Sequence, residues 1–261
     1  MIRCMRFFLW PALLLPALAA EPQASYDILI RGGRVIDGSG NPWVYGNIAI
    51  NEDRIVRIGR FDAPAKRVID AAGLYVTPGF IDIMDQSGGA LRADGKAQSK
   101  VRQGVTTGIG GEGGTPGPPD QLDKYFATVL RQGISMNFGT FVSAAQARQV
   151  VLGAVNRDPN SEELQLMKSI IDAGMQRGAL GMTTALIYPP GSYARTPELI
   201  ELARVAAGYG GVYATHVRDE GLGVLDGIRE AIEIGQKAGL PVEIFHLKVA
   251  HKKAWNKTMS R

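Results

Sequence analysis

Cysteine is nearly absent: among 261 residues there is one, Cys4. From residue 5 onward no disulfide framework is possible, and no thiolate is available for catalysis or for a metal. Histidine is also scarce, at three residues, so an imidazole-based site has few candidates. No Lys/Arg-rich run occurs, and the formal net charge of +4 is spread among interspersed acids and bases, which gives no electrostatic footprint for nucleic acid. Past the first twenty residues no apolar run is long enough for a membrane span. There is no Gly-x-Gly-x-x-Gly or phosphate loop in a strand-to-helix setting and no serine nucleophile elbow, which removes dinucleotide binding and serine-triad hydrolysis from consideration.

What is present is ordinary globular composition, 45% apolar and 21% charged, with 33 glycines that suit many tight turns. The N-terminus differs from the rest. Arg3 and Arg6 precede an apolar stretch from Phe7 to Leu18, and Ala17-Leu18-Ala19 is a small-x-small site. This pattern predicts a signal peptide over residues 1–19, cleaved before Ala20, and a periplasmic or secreted mature protein with no stable membrane anchor. Cys4 lies ahead of the apolar stretch, so it is not the lipidated residue of a lipoprotein site.

Residues 20–75 read as short strands: alternation from Tyr26 into Gly32-Gly33, then Val35-Ile36, Gly46 to Ile50, Arg54 to Gly59 and Arg67 to Asp70, with Asn51-Glu52-Asp53 as a turn. Strands at this spacing predict a small β-sandwich. From residue 76 the rhythm changes to strands alternating with helices, the pattern of an α/β parallel sheet. Strands are expected at 76–83, 105–110, 137–142, 179–184, 211–216 and 241–246. The helices between them include one over 161–175 with Ser161 as its N-cap and one opening at Thr196-Pro197. A closed (β/α) barrel needs eight strands, so the expected fold is an incomplete TIM-type barrel of about six strands over 76–261, preceded by the sandwich portion.

His216 and His246 each follow a β-branched or aromatic strand end and lie one βαβ unit apart. Both are therefore expected at the same rim, where neutral imidazoles suit one divalent metal, most simply zinc. Strand-end histidines held only by hydrogen bonds are the structural alternative. Glu112, in the glycine-rich segment Gly110-Gly111-Glu112-Gly113-Gly114 after the second strand, is the third candidate ligand, because two imidazoles and a carboxylate form a workable zinc set with a fourth position open. A solvated loop glutamate is the alternative. Met84 offers a thioether and Gln86 an amide, both poor zinc ligands, which argues against a second metal. Gln86 is a candidate to orient substrate or water, and Asp82 a candidate to support the site from behind. His251, among Lys252 and Lys253, reads as solvated.

Several stretches together resemble a known family: Pro78-Gly79-Phe80-Ile81-Asp82, Gly104-Val105-Thr106-Thr107, Tyr188-Pro189-Pro190-Gly191-Ser192-Tyr193, Thr215-His216-Val217-Arg218-Asp219-Glu220-Gly221 and His246-Leu247-Lys248. With the opening Tyr26 to Gly38, they make the chain similar to the amidohydrolase superfamily, in its N-acyl-D-amino-acid deacylase (D-aminoacylase) branch. Met84 and Gln86 stand where that family has a metal-binding His pair, and Glu112-Gly113 where deacylases have Asn-Cys. The resemblance implies a metal-dependent hydrolase of non-peptide amide bonds acting on a small N-acyl-D-amino acid, with His216 and His246 as metal ligands. It implies that Lys248 contacts the substrate carboxylate and that Tyr188 and Tyr193 wall the substrate pocket. The family's general base is an Asp after strand 8, for which no position here is a match. That Asp is expected beyond Arg261, so the chain reads as C-terminally truncated. A cyclic amidohydrolase of hydantoinase or dihydroorotase type is the second enzyme reading. It ranks below because the fourth strand reads Gly181-Met182-Thr183-Thr184, without the lysine of those enzymes. A catalytically inactive remnant that binds metal or ligand is the third.

Overall fold

The computed structural model describes residues 25–256. The expected signal peptide lies outside them, and so does Arg261, beyond which the general base is expected. The chain divides into two compact units, with the boundary between Pro78 and Gly79.

The first unit is one five-stranded sheet. Its strands are β1 (Tyr26–Val35), β2 (Val44–Asn51), β3 (Arg54–Gly59), β4 (Ala65–Asp70) and β5 (Tyr75–Val76). The order is β3-β2-β1-β4, with β5 also paired to β1. The first three strands are antiparallel, whereas β4 and β5 run parallel to β1. The strands expected from sequence are all present, but among the described residues they make one sheet, not two facing sheets. Val76, expected to open the first barrel strand, pairs with Val35 instead. Pro78 follows, and with no N–H to give a ladder it marks the break between the units.

The second unit alternates strands and helices. Its elements are β6 (Phe80–Asp82), α1 (Gln98–Val101), β7 (Val105–Gly110), α2 (Leu122–Gln132), β8 (Asn137–Thr140), β9 (Val142–Ser143), α3 (Ala144–Val151), α4 (Ser161–Gln176), β10 (Gly181–Ala185), α5 (Thr196–Ala207), β11 (Val212–His216), α6 (Val224–Ala238) and β12 (Val242–Ile244). All pairings are parallel and join neighbours in sequence, in the runs β6-β7-β8 and β9-β10-β11-β12. The two runs meet at Phe141, whose N–H bonds Gly110 O at 2.9 Å while Leu180 N–H bonds Thr140 O at 2.9 Å. Six parallel strand positions thus follow one another without the reversal of order that marks a doubly wound sheet. The expected six-strand pattern is present, and among the described residues the outer sides of β6 and β12 carry no further strand.

The main core lies between the strands and α3 to α6. It holds Leu122, Val142, Met167, Ile171, Met182, Leu199, Leu202, Tyr213 and Ile234, all essentially buried. A smaller cluster on the opposite strand face joins Phe141, Ala214 and Phe245, with Ile83, Met84 and Ile109 packed against it. The N-cap of α4 is Asn160, one residue before the expected Ser161. Its side chain accepts from Glu163 N–H at 2.9 Å while Glu163 Oε2 accepts from Asn160 N–H at 2.8 Å, a reciprocal capping box that Ser161 cannot make from inside the helix. No helix among the described residues is long and apolar enough to cross a membrane.

Candidate metal centre

Three strand ends of the second unit converge. Glu112 stands in the turn after β7. Gly111 before it has φ +114°, and a Cβ there would lie 2.5 Å from the Phe141 carbonyl oxygen, so only glycine lets the chain bend this close to its neighbour. His216 is the last residue of β11, on the same face as Ala214. His246 follows β12 by two residues. Strict alternation after Phe245, which packs on the inner cluster, would send His246 to the other face. Its backbone instead has φ +33°, a left-handed conformation uncommon for a non-glycine residue, and this re-aims the ring toward His216. The two imidazoles stand edge to face with centroids 4.4 Å apart.

The atoms that meet are Glu112 Oε1, His216 Nδ1 and His246 Nε2. Their separations are 3.1 Å (Oε1 to Nδ1), 3.0 Å (Nδ1 to Nε2) and 3.9 Å (Oε1 to Nε2). A carboxylate oxygen accepts only, and a neutral imidazole nitrogen on this side either donates one proton or accepts one. One proton on His216 Nδ1 would face two acceptors at once. A cation satisfies all three. Tetrahedral ligands at about 2.0–2.1 Å from zinc lie about 3.4 Å from one another, close to the mean of the observed edges. The donor set therefore suits a divalent metal.

The surroundings hold these side chains in place. Gln86 donates from Nε2 to Glu112 Oε2 at 2.7 Å, so it orients the carboxylate from behind. Met84 packs into the apolar cluster around Phe141 and Phe245. Tyr188 stands edge-on to His216, with ring centroids 5.5 Å apart. Asp82 does not reach the cluster: its Oδ2 pairs with Lys100 Nζ at 2.6 Å and its Oδ1 accepts from Met84 N–H at 3.1 Å. Tyr193 also lies apart, lining a hollow with Arg218 and Glu230. His251 is exposed and caps a short turn through Lys253 N–H. A polar hollow of about 170 Å³ opens beside Glu112 and Gln86, floored by glycines and bounded by Asp85, Pro116 and Phe138.

Two further residues, not singled out from sequence, shape the site. Arg218 donates to both Glu230 oxygens and to the carbonyls of Ser192 (3.0 Å) and Ala194 (2.8 Å), which clamps the loop that carries Tyr188. Glu220, buried, lies behind both histidines: its Oε1 is 3.4 Å from His216 Nε2 and 3.0 Å from His246 Nδ1. Its spacing of four from His216 within Thr215 to Gly221 is the signal that could have found it. Lys248 Nζ is ion-paired with Glu220 and lies 3.0 Å from His246 Nδ1.

No family model matches the chain. Among curated proteins, a D-aminoacylase of Alcaligenes xylosoxydans xylosoxydans is 33% identical over 246 residues, covering 86% of this chain and 51% of that protein. An N-acyl-D-glutamate deacylase of the same organism is 30% identical, covering 90% and 53%. A D-aminoacylase crystal structure superposes with a TM-score of 0.80 at 32% identity, over 88% of this chain and 53% of its own. The N-acyl-D-glutamate deacylase of Bordetella bronchiseptica, solved with zinc and a phosphonate inhibitor, gives 0.74 at 30% identity, over 84% and 51%. An L-hydantoinase of Arthrobacter aurescens, at 19% identity and a TM-score of 0.53, shares the fold alone. The chain spans about half the length of the curated relatives it matches. Over the stretch it shares with them, it belongs to the D-aminoacylase and N-acyl-D-amino-acid deacylase family of amidohydrolases.

Proposed function

We propose that this chain supplies the metal centre of a hydrolase that cleaves the amide bond of N-acyl-D-amino acids, with one zinc ion held by Glu112, His216 and His246. The observation that carries this reading is the triangle of lone-pair atoms at 3.0 to 3.9 Å, which one cation satisfies and one proton does not. The relatives' substrates, and the zinc and phosphonate bound by one of them, support the choice of metal and reaction. A metal held there supplies Lewis-acid polarisation of the scissile carbonyl and acidifies a water molecule. The chain's own residues set the stage. Gln86 fixes the free oxygen of Glu112 and so presents the other one inward. Tyr188 walls one side of His216. Lys248 is the cation for the substrate carboxylate, and it must leave Glu220 to reach it. The glycine-floored hollow beside Glu112 receives part of the substrate. Proton transfer to the leaving amine is assigned to no residue of this chain.

The six parallel strands form part of a (β/α) barrel and the N-terminal strands part of a small sandwich in this reading. Residues 1–19 act as an export signal in this reading, so the mature protein starts at Ala20 and is periplasmic or secreted. An intact mass that retains Met1 contradicts the last point. The function itself is tested by calorimetric titration of zinc-loaded and chelated protein with N-acetyl-D- and L-amino acids and with a phosphonate analogue. Zinc-dependent binding that favours the D form is expected. Binding that ignores zinc, or that is equal for both enantiomers, overturns it.

A further inference from the structure

Glu220 is buried among three partners, and the chain around it is built to put it there. Asp219 accepts from Gly221 N–H at 2.5 Å and from Gly223 N–H at 3.2 Å, which tightens the turn after β11. Arg218 points away to Glu230, and Glu220 is left facing the histidines. Its carbonyl accepts from Ala250 N–H at 2.7 Å, which draws the segment bearing His246 and Lys248 against it. One oxygen, Oε1, is thus shared by His216 Nε2, His246 Nδ1 and Lys248 Nζ.

His246 Nδ1 faces two neighbours with opposite demands. Glu220 Oε1 lies 3.0 Å away and can only accept, and so favours the tautomer with hydrogen on Nδ1. Lys248 Nζ at 3.0 Å donates, and so favours a bare Nδ1 with hydrogen on Nε2. Only the first leaves the Nε2 lone pair free toward Glu112 and His216. His216 Nε2 is buried, makes no hydrogen bond and lies 3.4 Å from Glu220 Oε1; a proton held on Nε2 by that carboxylate leaves Nδ1 free. From this geometry we infer that Glu220 is the positioning residue of the metal centre, setting the tautomers of both histidines against the opposing pull of Lys248. The inference rests on the proposed metal site and adds a residue that acts through its ligands.

The test is zinc affinity, measured by competition with a chromophoric chelator, for the wild type, E220A, E220Q and the double variant E220A/K248M, with the melting temperature of each recorded. E220A is expected to bind zinc about 10- to 100-fold more weakly, the usual range for a lost carboxylate behind a histidine ligand. E220Q keeps an acceptor without the charge and should fall between. Removing the lysine as well takes away the opposing donor, so E220A/K248M should recover part of the loss. General loosening of the site would deepen the loss in the double variant instead. A wild type that binds zinc while E220A and E220Q bind it equally well overturns this inference alone. A wild type that binds no zinc overturns the metal reading and this inference with it.

Discussion

Glu112 Oε1, His216 Nδ1 and His246 Nε2 crowd together at 3.0 to 3.9 Å, and the metal reading turns on that convergence. A histidine pair 3.0 Å apart with a carboxylate against one nitrogen cannot share a single proton among all three atoms. Removing any one of the three should therefore abolish tight zinc binding without a matching loss of fold. Gln86 is a milder case. Q86L leaves the ligands in place but frees Glu112 Oε2, and zinc affinity should drop about tenfold, as for other supporting contacts behind a ligand. Unchanged affinity by chelator competition would remove Gln86 from the site. At this scale the sequence is legible where chemistry is rare: with three histidines in the chain, the two at strand ends stand out. Glu220 is only faintly legible: its spacing of four from His216 is the one signal, and the fold is what shows it behind both rings. Tyr193 promises more in the sequence than it delivers, since a tyrosine in a Pro-Gly-Ser turn points where the turn sends it.

Secondary-structure elements bring these residues together, and two contacts show how. The capping box of α4 is reinforced by a two-pronged ion pair from Arg157 to Glu163, at 2.7 and 2.6 Å. Arg157 and the Asn160 N–H hold the Glu163 carboxyl down from about 4.5 to about 2. A carboxyl whose value is lowered by folding contributes stability above about pH 4.5, and that contribution is lost as pH falls toward 2. Helix α4 should therefore fray from its N-terminus over that window, and E163Q should flatten the acid limb of the far-UV circular dichroism curve. An identical acid limb in both proteins would show that the cap does not govern it.

The second contact is the buried pair of Arg148 on α3 and Glu198 on α5, at 2.5 Å, with Arg148 also donating to the carbonyls of Val155 (3.2 Å) and Arg157 (2.5 Å). It pins the connection before α4 to the helix layer. E198A leaves a guanidinium buried and unpaired and should cost roughly 3–5 kcal/mol in denaturant unfolding, whereas the double variant R148M/E198L should recover most of that. Equal losses in both would mean that the pair's charge is not what matters. Periodicity reads these helices well, because their apolar faces repeat at helical spacing. It errs by a residue at α4 because Asn160 and Ser161 are both good caps and only the reach to Glu163 separates them.

At the scale of the whole molecule, the parallel strands put every candidate ligand at their C-terminal ends, the arrangement by which a (β/α) sheet gathers distant residues into one site. The alternation of strands and helices makes this half of the architecture legible. The first unit is legible as strands but not as layers, since alternation tells which residues share a face and not what covers that face. Pro78 is the overlooked mark between the units: Val76 has the same strand-like character as Phe80, and only the missing N–H separates them.

Metal binding can be measured apart from turnover, because the three proposed ligands all lie among the described residues. The decisive measurement is anomalous diffraction at the zinc edge from crystals grown with one equivalent of zinc. The account predicts one peak, about 2.0–2.2 Å from His216 Nδ1, His246 Nε2 and Glu112 Oε1. A peak held by other side chains, or no ordered zinc with the three residues still in mutual contact, would contradict it.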